Sequence, residues 1–204
     1  MNKIICFIIL LIIFIVSPPA YSLDRCLDYK TDVRIQHQKY FGPAFPYWYG
    51  LGQLKQESCC RATATAFDAG MGIAQFMPKT SQYVQSLMGK SLNPYNPDQA
   101  IEMQAFYMAR IHNKENFIKG DDKRLWLSYQ IYNGGVGTLK KEYLKTKDVI
   151  PNWINMKSEC TRKTIKLKCG SYLNFCDVNY DYSIKVYRYG NIYSIKNNTI
   201  FKYW

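Results

Sequence analysis

Residues 47–78 read YWYGLGQLKQESCCRATATAFDAGMGIAQFMP, and the texture changes twice along them. Tyr47, Leu51 and Leu54 recur at spacings of four and three, which predicts a helix over Tyr47 to Glu57 behind the breaker Pro46. Arg61 to Gly72 is rich in Ala, Thr and Gly, the composition of a loop. Pro78 is accepted in the first turn of a second helix through Tyr83, Val84 and Leu87. Glu57 therefore closes the first helix, with no acidic neighbour nearer along the loop than Asp68. A carboxyl set against apolar and aromatic surface has its ionised form disfavoured, so its pKa rises and it can donate a proton. Taken alone, a glutamate at a helix end reads as a solvated surface residue.

Working outward, Asn93-Pro94 and Asn96-Pro97 form a turn in which Asn96 is an N-cap and Pro97 the first helical residue. The helix that follows runs to about His112 and puts Ile101, Ala105, Met108 and Ile111 on one face. Another starts after Asp121-Asp122 and stops at Asn133-Gly134-Gly135, and a short one covers Thr138 to Leu144. Tyr180 to Tyr189 is compatible with a helix, and Ile192 to Tyr203, around Asn197-Asn198, with a small hairpin. Leu23 to Pro46 reads as a polar, aromatic segment broken by Gly42-Pro43 and Pro46. The expected class is mostly α, with minor β and a cysteine-rich loop, 158–177.

The chain has 204 residues, 48% hydrophobic and 21% charged, which excludes wholly disordered, collagen-like and coiled-coil chains. Lys3, then the apolar run Ile4 to Val16, then Ser17-Pro18-Pro19 and the small-x-small Ala20-Tyr21-Ser22, predict a signal peptide over 1–22. The run is short of the ~20 residues that cross a bilayer, although an uncleaved anchor is the rival reading. Leu23-Asp24-Arg25 before Cys26 argues against a lipoprotein site. The product is expected in the periplasm or outside the cell.

Removing 1–22 takes Cys6 with it and leaves six cysteines: 26, 59, 60, 160, 169 and 176. An even set in an oxidising compartment predicts up to three disulfides, with the pairing open. Adjacent Cys59 and Cys60 are each expected to tie to a different distant segment. A zinc site is the weaker reading, since there is no CxxC and His37 and His112 lie far apart in sequence. No metal and no cofactor are expected.

Two further stretches carry chemistry. In Gly72-Ile73-Ala74-Gln75-Phe76-Met77-Pro78, glycine permits close backbone approach and Gln75 can both donate and accept hydrogen bonds to a polar ligand. In Tyr129-Gln130-Ile131-Tyr132-Asn133-Gly134-Gly135, a helix end presents a phenol and an amide. Each alone reads as a turn before a core helix or as ordinary packing. Together with Glu57-Ser58, and in this order, they resemble the soluble lytic transglycosylase family of lysozyme-like enzymes, with its "ES", "GLMQ" and "AYNAG" motifs. Asn93-Pro94 to Pro97 is similar to the family's "DP..N" segment, and Tyr182-Ser183-Ile184-Lys185-Val186 to its closing "YVxKV". Ala74 replaces the family's Met, Ile131 its Ala, and the acidic-Thr pair before the closing Tyr is absent.

The resemblance implies a lysozyme-like domain over 47–190, preceded by segment 23–46 and followed by a hairpin or tail, 191–204. It implies cleavage of the β-1,4 bond between N-acetylmuramic acid and N-acetylglucosamine in peptidoglycan. Glu57 would be the acid and then the base that closes a 1,6-anhydro ring, with the substrate's N-acetyl group assisting in place of a second carboxylate. Gln75 and Tyr132 would line the groove, Asn133 would brace the helix end, and Tyr182 would lie near Glu57. The alternatives are a goose-type lysozyme pairing Glu57 with Asp68, and a non-catalytic glycan-binding component of a secretion, conjugation or phage apparatus. The net charge of +12 suits an anionic wall polymer. Nucleic acid is the poorer match, because Lys140-Lys141, Arg162-Lys163, Lys166 and Lys168 sit in no nucleic-acid-binding motif.

Overall fold

The computed structural model describes residues 24–114, 121–148, 151–162, 164–166 and 172–195. Eight α-helices and one two-stranded sheet are present among them. After a 3-10 turn at Arg25–Tyr29 come α1 (Lys30–Phe41), α2 (Trp48–Ser58), α3 (Pro78–Met88), α4 (Pro97–Lys114) and α5 (Asp121–Gly134). Then follow α6 (Val136–Thr146), α7 (Trp153–Ser158), β1 (Thr164–Lys166), β2 (Tyr172–Asn174) and α8 (Phe175–Ile195). The fold is mostly α with minor β, and Asn96 caps α4 through Oδ1, which accepts from Gln99 N at 3.2 Å.

The central element is α2. Every residue from Trp48 to Leu54 is buried, which leaves only its final turns near the surface. Its closest partner is α8, and small residues let the two backbones meet. A side chain at Gly52 would strike Val186 O and Gly190 N, and one at Gly190 would strike the Tyr49 ring. Tyr49 then stacks on Tyr187 at 4.4 Å and donates to Asn191 Oδ1 at 3.2 Å. A second apolar cluster, with Ile111, Leu127, Ile131, Leu139, Met156 and Tyr180, joins α4–α8 below it.

Segment 24–46 is mainly helical, not merely broken and polar. In α1 only Val33 and His37 are buried, so its apolar stripe is one i, i+4 pair, too narrow to register as periodicity. It is held to α4 by Glu102, whose Oε1 receives Lys39 at 2.9 Å, Tyr40 at 3.0 Å and Lys90 at 2.8 Å.

The C-terminal expectations need two corrections. Ile192–Ile195 continue α8 instead of opening a hairpin, and the remainder of that expected hairpin lies outside the described residues. The strand pair sits earlier, where β1 and β2 pair antiparallel with Ile165 opposite Leu173, inside the loop closed by Cys160–Cys176. The other disulfide is Cys26–Cys60. Cys59 is free and exposed, contrary to the expectation that both adjacent cysteines are tied. Both take left-handed φ, 52° and 58°, and while Cys60 is wholly buried, Cys59 faces solvent. Cys169 and the expected signal peptide lie outside the described residues. Among the described residues no helix is long and apolar enough to cross a membrane, and no group of three or more potential ligands gathers to hold a metal ion.

Candidate active site

Glu57 sits in the last turn of α2, half-buried, where the helix emerges from the core. The next residue fixes what faces it. Ser58 Oγ donates to Ile73 O at 2.8 Å and accepts from Arg61 N at 3.1 Å, so the helix end is pinned to the loop of residues 71–77. That loop is a tight hairpin closed by Met71 N to Phe76 O at 3.0 Å and Phe76 N to Met71 O at 3.1 Å. Gly72 has φ of +68°, and any side chain there would strike Pro94 O, so glycine is required twice over.

Gln75 also holds a left-handed φ, 51°. Its Nε2 donates to Gly72 O at 2.7 Å and to Ala64 O at 3.3 Å. Both amide protons thus stabilise the loop, and Oε1 is the part of the side chain left for another partner. Tyr132 reaches the same loop from α5, donating to Ala74 O at 2.9 Å, with its ring 5.8 Å from Phe76 and 5.7 Å from Tyr107. Asn133, exposed at the helix end, donates to Asn179 Oδ1 of α8 at 3.1 Å. It braces that end.

Tyr182, buried on α8, donates its hydroxyl to Glu57 Oε1 in a short hydrogen bond. It is the one hydrogen bond that holds Glu57 among the described residues. Desolvation raises the Glu57 pKa to about 8, the Tyr182 bond opposes this, and the negative charge of Asp68 adds to it. Glu57 is therefore a neutral acid at pH 7. Burial pushes Tyr132 and Tyr182 well above the ordinary phenol range, so both stay protonated and act as donors. Asp68 itself accepts from Gly70 N at 3.3 Å in the loop opposite.

The five residues singled out in the sequence fall into two groups. Tyr182 bonds the Glu57 carboxyl, Tyr132 lies within its electrostatic reach while bonding Ala74 O, and Gln75 shapes the loop beside them. Asn133 serves the scaffold. Sequence reasoning missed Gln53, fully buried one turn before Glu57, which flanks the Tyr182 hydroxyl and accepts from Gln104 Nε2 at 2.8 Å. Its signal was available: Gln53 is i−4 to Glu57 on a helix face otherwise apolar. The arrangement supplies one neutral carboxylic acid, braced by a phenol and facing a glycine-rich loop.

The 70 kDa soluble lytic transglycosylase of Escherichia coli is similar in fold at a TM-score of 0.60 and 15% identity, covering 81% of this chain and 24% of that one. The lytic transglycosylase Slt of Pseudomonas aeruginosa, solved as an inactive mutant, gives 0.59 at 19% identity, covering 89% and 25%. The chain thus spans about a quarter of the length of those proteins. No curated protein sequence matches it. A transglycosylase SLT domain is matched over residues 53–153, the stretch that carries Glu57, the Gly72–Pro78 loop and Tyr132. With that domain laid over this fold and this carboxyl, residues 53–153 of the chain belong to the transglycosylase SLT domain family.

Proposed function

We propose that the protein cleaves the β-1,4 bond between N-acetylmuramic acid and N-acetylglucosamine in peptidoglycan, leaving 1,6-anhydromuramic ends. The observation that carries this reading is the Glu57 carboxyl at the end of α2, bonded by the Tyr182 phenol beside the Gly72–Pro78 loop with no cation near it among the described residues, a setting that raises its pKa. Glu57 gives its proton to the glycosidic oxygen as the bond to the anomeric carbon breaks, and the leaving sugar departs as an alcohol. The substrate's N-acetyl oxygen stabilises the electron-poor carbon. The Glu57 carboxylate then takes the proton of the muramic 6-hydroxyl as that oxygen closes on the same carbon. The acid is restored and no water is consumed. Tyr182 orients the carboxyl and stabilises its charged form between the two steps. Tyr132 and the Oε1 of Gln75 face the sugars, and the protein works outside the cytoplasm, where its substrate lies.

Hydrolysis is the second reading, favoured by Asp68, whose charge reaches Glu57. It would position a water in an inverting geometry. Mass spectrometry of digested peptidoglycan separates the two. Products lighter by one water, with anhydro ends, support the proposal, and reducing ends overturn it.

A further inference from the structure

A cavity of about 140 Å³ lies between α3, α4, α5 and α6, lined by Tyr83, Tyr107, Arg110, Ile111, Lys114, Ile131 and Val136. It shares Tyr107 with the site, since that ring packs 5.7 Å from Tyr132. A volume near 150 Å³ suits a group of about benzene's size, and ligand pockets for whole small molecules start near ~300 Å³. The cavity is therefore scaled to one side chain, not to a disaccharide.

Its lining is chemically divided. Ile111 and Ile131 are buried and present a hydrocarbon floor. Arg110 and Lys114 stand one helical turn apart on α4 at its rim, and neither has a carboxylate within ion-pair distance among the described residues. Like charges at i, i+4 repel on a helix, and an anion seated between Arg110 and Lys114 would relieve that repulsion. The guanidinium of Arg110 lies 5.9 Å over the Tyr83 ring, and its Nη2 donates to Tyr83 Oη at 3.4 Å. That contact fixes the planar fork while leaving most of its N–H groups unused.

We propose that this cavity seats a carboxylate-bearing side chain of the peptide attached to the glycan strand, with Arg110 and Lys114 holding the carboxylate and Ile111 and Ile131 its methylenes. The proposal rests on the peptidoglycan reading above and names the part of that substrate which the glycan groove does not explain. A peptide of three or four residues reaches about 10–14 Å when extended, longer than the 5.7 Å between the Tyr132 ring and the Tyr107 ring that lines the cavity. A phosphate-bearing polymer would use the two cations but not the apolar floor.

The test uses the full chain and a stem-type tetrapeptide with free side-chain and terminal carboxylates, alongside the same peptide fully amidated. In NMR titration of wild-type protein the free-carboxylate peptide shifts the Tyr83 and Tyr107 ring signals, and amidation weakens binding tenfold or more. Arg110→Ala/Lys114→Ala loses binding by a similar factor, and Arg110→Lys retains part of it. In digestion, the ratio of cleavage on peptide-bearing to amidase-stripped glycan falls several-fold in the double variant. Equal binding of the amidated peptide, or of the double variant, overturns the proposal. So does binding of a polyglycerol phosphate chain with none of the peptide. If the protein cuts neither glycan, the reading of Glu57 fails while the titration still decides this site.

Discussion

Glu142, 4% exposed on α6, and Glu57, half-buried on α2, both withdraw a carboxyl from water. Their surroundings divide at the next atom. Glu142 accepts from Arg162 Nε at 3.2 Å and Nη2 at 3.3 Å, one bond to each oxygen, and from Tyr180 Oη at 2.6 Å. Glu57 accepts from one neutral phenol and meets no cation among the described residues. A buried carboxyl with a bidentate guanidinium is a fixed anion that ties α6 and α8 to the cysteine-closed loop. A buried carboxyl with a phenol alone keeps its proton and can give it away. The same residue type thus serves as a fixed ion-pair anion in the first and, in the function proposed above, as the acid in the second.

Removing the acid is the strongest way to test that contrast. Glu57→Gln is expected to lower muropeptide release at least about 10³-fold, near the upper range for a lost general acid. It should also raise stability. The raised folded pKa means that, between the ordinary 4.5 and about 8, the folded state keeps a proton the unfolded chain has lost. Stability therefore falls as pH rises through that window. Glutamine removes this penalty, about 3 kcal/mol at pH 7, and thermal melts of the two proteins should converge below pH 4.5.

Arg162→Ala attacks the other carboxyl. It leaves Glu142 buried without its cation and should cost about 3 kcal/mol, read as a Tm loss of roughly 6–12 °C. Removing both charges, in Glu142→Leu/Arg162→Met, should recover most of that loss. A double variant no better than Arg162→Ala would mean that packing, not charge, dominates there.

The two carboxyls also differ in how far they could be read from sequence. The loop and helix end around Glu57 were legible because they are ordered motifs, Gly72–Pro78 and Tyr132–Gly137, whose spacing reflects local turns and helix ends. Helices α2 to α6 were legible for a related reason, since apolar periodicity and the Asn96, Pro97 and Pro78 signals all act within a few residues. Glu142 gave no signal. Its partners Arg162 and Tyr180 come from separate elements, and their meeting depends on a loop closed by Cys160–Cys176, which sequence leaves among several pairings. The same limit hid α1, whose stripe is one residue pair, and the fate of Cys59, where two adjacent left-handed residues send neighbouring thiols to opposite sides.

Tyr182→Phe tests the single bond that Glu57 does have. The phenol favours the carboxylate, so its loss moves the Glu57 pKa upward from about 8, and the alkaline limb of the activity profile should move with it. The rate at pH 7 should fall by about 10- to 100-fold, because the carboxylate formed after the first proton transfer loses its donor. A downward shift of the limb would mean that Tyr182 acts by desolvating Glu57 rather than by bonding it.

Asp68→Asn carries the smallest expected effect. The Asp68 charge raises the Glu57 pKa, so its neutralisation should bring the alkaline limb down. The rate at pH 7, still below the limb, should change by less than about threefold, as suits one partly solvated charge. That small number discriminates strongly. An inverting hydrolase needs the second carboxylate to activate water and would lose about 10²-fold or more. A transglycosylase whose nucleophile is the substrate's own 6-hydroxyl would register only the electrostatic nudge. If Asp68→Asn proves as damaging as Tyr182→Phe, Glu57 does not act as the lone carboxyl of its site, and the contrast with Glu142 has to be redrawn as a paired acid against a paired ion.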